Sequence, residues 1–82
     1  LNYIVEPAEL MNNALQIAEK LAANGPMAVQ AIRKSAREVW GRPEEEALKM
    51  ESTYSAPVFQ TEDAIEGPKA FMEKRLPVYK GR

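Results

Sequence analysis

Apolar residues recur at steps of three and four along most of this chain. Leu10, Met11, Ala14, Leu15, Ile17, Ala18, Leu21 and Ala22 form one broad apolar face. That period predicts a helix over about 8–23, with Pro7 at its first turn and Glu9 near its positive end. Asn24–Gly25–Pro26 should stop it, with Gly25 in the left-handed position. Ala28, Val29, Ile32, Ala36, Val39 and Trp40 line one side of a second predicted helix, about 26–40, while Arg33, Lys34, Arg37 and Glu38 point away. Gly41 ends it. A third helix is expected over about 43–59, opened by Pro43 and carrying Ala47, Met50, Tyr54 and Val58. Pro57 falls inside that pattern and predicts a kink or an earlier end. Thr61 is a good N-cap for a fourth helix over about 62–75, which Gly67–Pro68 interrupts. Leu1–Val5 reads as a short strand or extended lead-in, and Val78–Arg82 as an extended tail. The fold class expected is all-α, with four helices between extended ends.

Composition removes most enzymatic chemistry. The 82 residues contain no Cys and no His. There is no thiolate nucleophile, no imidazole base and no usual zinc ligand, which argues against catalysis by this chain alone. The apolar runs are far shorter than the roughly 20 residues needed to span a bilayer. A net charge of −1 hides an asymmetry. Residues 67–82 carry five basic groups and one acidic group. That concentration can attract a phosphate and falls short of a nucleic-acid stripe. No membrane or nucleic-acid partner is expected.

Few side chains converge on a chemical pattern. Glu44, Glu45 and Glu46 are consecutive on a helix and point in different directions, so they read as a helix-start cluster. Tyr54 and Trp40 read as core. Glu51 and Glu66 are isolated helix carboxylates without a recognisable partner. Phe71 and Lys74 are three apart and would share a helix face, with Arg75 and Lys80 nearby in sequence. An aromatic ring beside an ammonium can stack on a base and pair with a phosphate. The competing assignment puts Phe71 in the core and Lys74 in solvent.

The segment EDAIEGPKAFMEKRLPVYKGR, residues 62–82, resembles the C-terminal signature of the crotonase superfamily, the enoyl-CoA hydratase/isomerase group. Members commonly end with an acidic pair, then EG, AF.EKR, Pro, an aromatic, Lys and Gly. LNYIVEPAEL and NGPMAVQAIRKSARE resemble earlier segments of the same family, so the likeness spans essentially all 82 residues. The resemblance implies that residues 1–82 are the C-terminal helical region, about the last third, of a longer enzyme. The family's ββα-spiral core supplies the oxyanion hole and the acid–base carboxylates. That core lies outside these residues, and no catalytic or metal residue is carried over. The resemblance further implies a homo-oligomeric parent, a trimer or dimer of trimers. It implies CoA thioesters as substrates with no permanently bound cofactor, and a cytoplasmic or mitochondrial-matrix setting. The aromatic and lysine of AF.EK approach the adenine and phosphates of CoA in the family; the matching positions are Phe71 and Lys74. Tyr54 and Ser55 fall where members place acyl-pocket residues, and Leu76 replaces a lysine that many members carry. Two other functions fit the same pattern: a free-standing acyl-CoA-binding helical module, and a domain that only self-associates.

Overall fold

A computed structural model describes residues 1–82, and its regular structure is entirely helical. Leu1–Val5 forms neither helix nor strand, since no neighbouring strand exists to complete a ladder. Pro7–Glu9 makes a 3-10 turn that runs straight into helix α1, Leu10–Ala22. The end of α1 corrects one expectation. Gly25 has φ −58°, outside the left-handed region. The Asn24 side-chain amide caps the helix instead, donating to the Lys20 carbonyl at 2.7 Å. Gly25 serves as N-cap of helix α2, Pro26–Glu38, and its carbonyl accepts the Val29 N–H at 3.1 Å. Gly41 does adopt φ 77° in the turn that follows α2.

Helix α3 spans Glu44–Ser55, four residues shorter than expected at its C-terminal end. Pro57 offers no N–H to the carbonyl of Thr53, so the helix closes early and Val58–Gln60 forms a separate 3-10 turn. Thr61 then caps helix α4, Glu62–Met72, by accepting the Ala64 N–H at 3.2 Å. The expected interruption at Gly67–Pro68 does not occur, because α4 runs through Pro68. Proline here forfeits one bond to the Ala64 carbonyl, and the remaining ladder holds. Gly67 has a packing reason. A Cβ built there would lie 3.1 Å from the Tyr79 hydroxyl, tighter than side chains ordinarily approach.

Residues 76–82 fold back along α4 in extended form. Asp63, in the first turn of α4, holds their far end. Its carboxylate accepts the Lys80 N–H at 2.7 Å and the Gly81 N–H at 2.8 Å, and its own N–H donates to the Arg82 carbonyl at 3.0 Å. Gly81 meets this clamp at φ 75°. The Tyr79 ring covers Gly67 and Gly25, bringing the tail against the start of α2.

Only Ala70 and Asp63 are buried. The molecule measures 43 × 39 × 18 Å, and its radius of gyration is 16.0 Å. A compact domain of this length would have about 12 Å. A thickness of 18 Å is less than two helix diameters, so the helices form an open layer. Helices α2 and α3 pack on one another, and the Val58–Gln60 turn links both to α4. Helix α1 stands off, with Leu10, Met11, Leu15 and Leu21 exposed. Trp40, expected in the core, is 88% exposed. No helix is long and apolar enough to cross a membrane.

Candidate functional site

The C-terminal end of α4 brings the two predicted ligand-binding residues close together, by a different route from the one expected. The helix ends at Met72, so helical periodicity cannot place Lys74 beside Phe71. A C-cap joins their backbones instead. The Lys74 N–H donates to the Phe71 carbonyl at 3.2 Å, and the Arg75 N–H donates to the Ala70 carbonyl at 3.0 Å. This pair of bonds is a Schellman motif, and it forces Lys74 to φ 54°. Lys74 is the only non-glycine residue in the chain with positive φ. Glycine is the usual occupant of that position, and a residue with a Cβ costs roughly 1–2 kcal/mol there. Phe71 is 84% exposed, which excludes its assignment to a core within this chain.

The basic segment separates into paired and unpaired groups. Arg75 binds Glu66 through two parallel contacts, Nη1 to Oε1 at 2.5 Å and Nη2 to Oε2 at 3.0 Å, and its Nε donates to Glu73 at 2.5 Å. Lys80 and Arg82 approach Glu62 at 3.9 and 3.4 Å. Lys69 and Lys74 make no ion pair. The two cations left available therefore sit just before and just after Phe71 in sequence. Arg75, grouped with them from sequence, belongs instead to the scaffold.

Glu66 has the partner that its sequence context hid. Its carboxylate also accepts the Val78 N–H at 2.9 Å. The Arg75 guanidinium, followed by the Val78 N–H, lowers its pKa from 4.5 to about 2. Glu66, and then Glu73, raise that of Arg75 in turn. Nine residues and a helix end separate Glu66 from Arg75, and 17 separate Asp63 from Lys80. No helical spacing rule reports such pairs. The only sequence signal was the motif itself, which contains all of them.

A second place of interest is the groove between α2 and α3, about 440 Å³, where Tyr54, Ser55 and Glu51 line a mostly apolar wall. The Tyr54 hydroxyl donates to Glu38, and the Lys34 ammonium lies 4.7 Å from the centre of its ring. The hydrogen bond to Glu38 raises the Tyr54 pKa, with desolvation adding to it. Tyr54 is thus a half-buried bridge between two helices, and Glu38 turns toward it rather than away. The glutamates at the start of α3 do not converge. Glu46 pairs with Arg42 at 2.7 Å and Glu45 with Lys49 at 3.2 Å, each a local contact. No group of three or more Asp and Glu side chains is placed to hold a metal.

A sequence profile of the family described as Enoyl-CoA hydratase/isomerase matches residues 1–82. The chain belongs to the enoyl-CoA hydratase/isomerase family. Enoyl-CoA hydratase EchA19 of Mycobacterium tuberculosis is 43% identical over all of this chain and 31% of its own length. Carnitinyl-CoA dehydratase of Escherichia coli K12 is 42% identical over all of this chain and 33% of its own. The crystal structure of an enoyl-CoA hydratase from Bacillus anthracis superimposes with a TM-score of 0.96 at 36% identity, over 100% of this chain and 32% of that one. A probable enoyl-CoA hydratase/isomerase from Mycobacterium abscessus gives 0.88 at 40% identity, again over 100% of this chain and 32% of that one. The chain thus spans about a third of the length of the relatives it matches. The open helical layer seen here is part of the enoyl-CoA hydratase/isomerase fold, and the crotonase resemblance of residues 62–82 holds along the whole chain.

Proposed function

We propose that this chain is the C-terminal helical region of an enzyme acting on acyl-CoA thioesters, where it promotes self-association and contacts CoA. The reaction is hydration of a 2-enoyl-CoA or a related enolate reaction. Two relatives, named for a hydratase and a dehydratase acting on CoA thioesters, support that class. The difficult step is to stabilise negative charge on the thioester oxygen, a task for preorganised backbone donors in the spiral core outside these residues. CoA is the handle of the substrate, and no resident cofactor is required.

The role of this chain is orientation. Binding energy at the nucleotide end of CoA, remote from the reacting carbon, helps hold that carbon in place. The observation that carries the assignment is Phe71, an exposed ring with unpaired cations at Lys69 and Lys74. The ring stacks on adenine and the Lys74 ammonium pairs with a phosphate. The exposed apolar faces of α1 and of the α2–α3 layer supply the surfaces for the spiral core and for neighbouring subunits of a trimer. The groove at Tyr54 and Ser55 faces the acyl portion. Bacterial relatives favour the cytoplasm over the mitochondrial matrix as its setting.

Steady-state kinetics of the intact enzyme test this. Phe71→Ala with Lys74→Ala should raise KM for acyl-CoA by about 5- to 150-fold, the equivalent of roughly 1–3 kcal/mol, and leave the assembly unchanged in sedimentation. An unchanged KM would remove CoA contact from these residues. A native product of 9.2 kDa on a blot, rather than about three times that mass, would favour the free-standing binding module instead.

A further inference from the structure

Lys74 occupies a backbone position that favours glycine, yet carries a long cationic side chain without an ion-pair partner. Strain of this kind persists where the surroundings over-determine it. Here they do so from both sides of Lys74. On the N-terminal side, the Phe71 and Ala70 carbonyls hold the Lys74 and Arg75 N–H groups. On the C-terminal side, the Arg75 guanidinium is anchored to Glu66 by a two-point contact and also reaches Glu73. Glu66 itself is fixed on α4 and takes a third bond from Val78. The residue after Lys74 is therefore tied to the helix by both its backbone and its side chain.

We propose that Glu66 and Arg75 are a positioning pair, which locks the left-handed turn at Lys74 and so aims its ammonium, beside the Phe71 ring, at the phosphates of CoA. This rests on the CoA contact assigned above. The pair touches no substrate. It acts by lowering the conformational freedom that Lys74 would otherwise lose on binding. A planar guanidinium suits the task because its two-point grip fixes direction, which an ammonium cannot do.

Kinetics of the intact enzyme with two substrates separate this role from general stabilisation. Acyl-CoA carries the nucleotide, and acyl-pantetheine does not. Glu66→Gln keeps an acceptor for Val78 and removes the charge that holds Arg75. It should raise KM for acyl-CoA about 3- to 10-fold, with kcat changed less than about twofold. The KM for acyl-pantetheine should shift by less than about 1.5-fold. In a Lys74→Ala background the same substitution should add less than about 1.5-fold, because the group it positions is gone. Arg75→Lys, which keeps charge and the backbone bond to Ala70, should repeat the pattern if Glu66→Gln yields too little folded protein. Lys74→Gly should raise KM as Lys74→Ala does while Tm stays level or rises, since glycine fits the turn. Equal losses with both substrates, or the same loss with and without Lys74, would make the pair merely structural and overturn the proposal. A KM that responds to Lys74→Ala but not to Glu66→Gln would overturn it and leave the CoA contact standing. A KM unmoved by Lys74→Ala would remove the CoA contact itself, and the proposal with it.

Discussion

Residues 62–82 show how one side chain can carry a structural duty that its neighbours in sequence do not reveal. Glu66 is the clearest case. A carboxyl whose pKa is lowered on folding contributes stability above its ordinary value, and that stability is lost as pH falls through the folded value. For Glu66 the window runs from 4.5 down to about 2. The tail should therefore stay attached at pH 5 and release progressively as the pH approaches 2. The chemical shift of the Val78 amide, followed by NMR across that range, reports it directly. A midpoint near 4.5 would mean that the Arg75 grip does not form. Asp63 holds the far end of the tail by hydrogen bonds in a more enclosed place. Two backbone N–H donors converge on one buried carboxylate, and hydrogen bonds to a charged group contribute about 1.5–3 kcal/mol each.

At the scale of elements, α4 and the tail behave as one unit. Gly67 lies mid-helix, where glycine is about 1 kcal/mol less favourable than alanine. The Tyr79 ring lies across it. Gly67→Ala should thus change Tm by less than the helix preference alone implies, since the new methyl meets the Tyr79 hydroxyl. The Tyr79 hydroxyl makes no hydrogen bond within the chain. In a Tyr79→Phe background that obstacle is removed, and Gly67→Ala should become stabilising by about 1 kcal/mol in urea unfolding. An equal effect in both backgrounds would show that the ring does not confine residue 67. The proline in α4 and the proline after α3 make a useful contrast. Pro57 coincides with the end of one helix, whereas Pro68 is absorbed by another. The tail binds α4 at Glu62, Asp63 and Glu66, in the turns before Pro68.

The whole molecule is an open layer. Its accessible surface is 7265 Å². A compact monomer of this mass would expose roughly 4,900 Å², which leaves an excess of about 2,300 Å². That excess has the size of an obligate interface. Produced alone, the 82-residue chain should self-associate in sedimentation velocity and bind a hydrophobic dye, with Leu10, Met11, Leu15 and Leu21 of α1 among the exposed groups. A dye-silent monomer would show that the layer closes on itself in solution.

Much of this protein is written in local patterns. The four helices follow from a three-to-four residue apolar period, and their breaks from Asn24–Gly25–Pro26, Gly41 and Pro57. Helix propensity, proline sterics and the absence of Cys and His act over a few residues or none, so sequence alone determined them. The motif in residues 62–82 likewise pointed to the right family. What each motif residue does was decided only by the fold. Helix α4 stops at Met72 and turns the chain back, which places Lys74 in a strained cap, Arg75 on Glu66 and Gly81 on Asp63. The last two contacts join residues 9 and 18 positions apart around a reversal of the chain. Their energy exists only once the tail has returned, and no period along the sequence encodes that return.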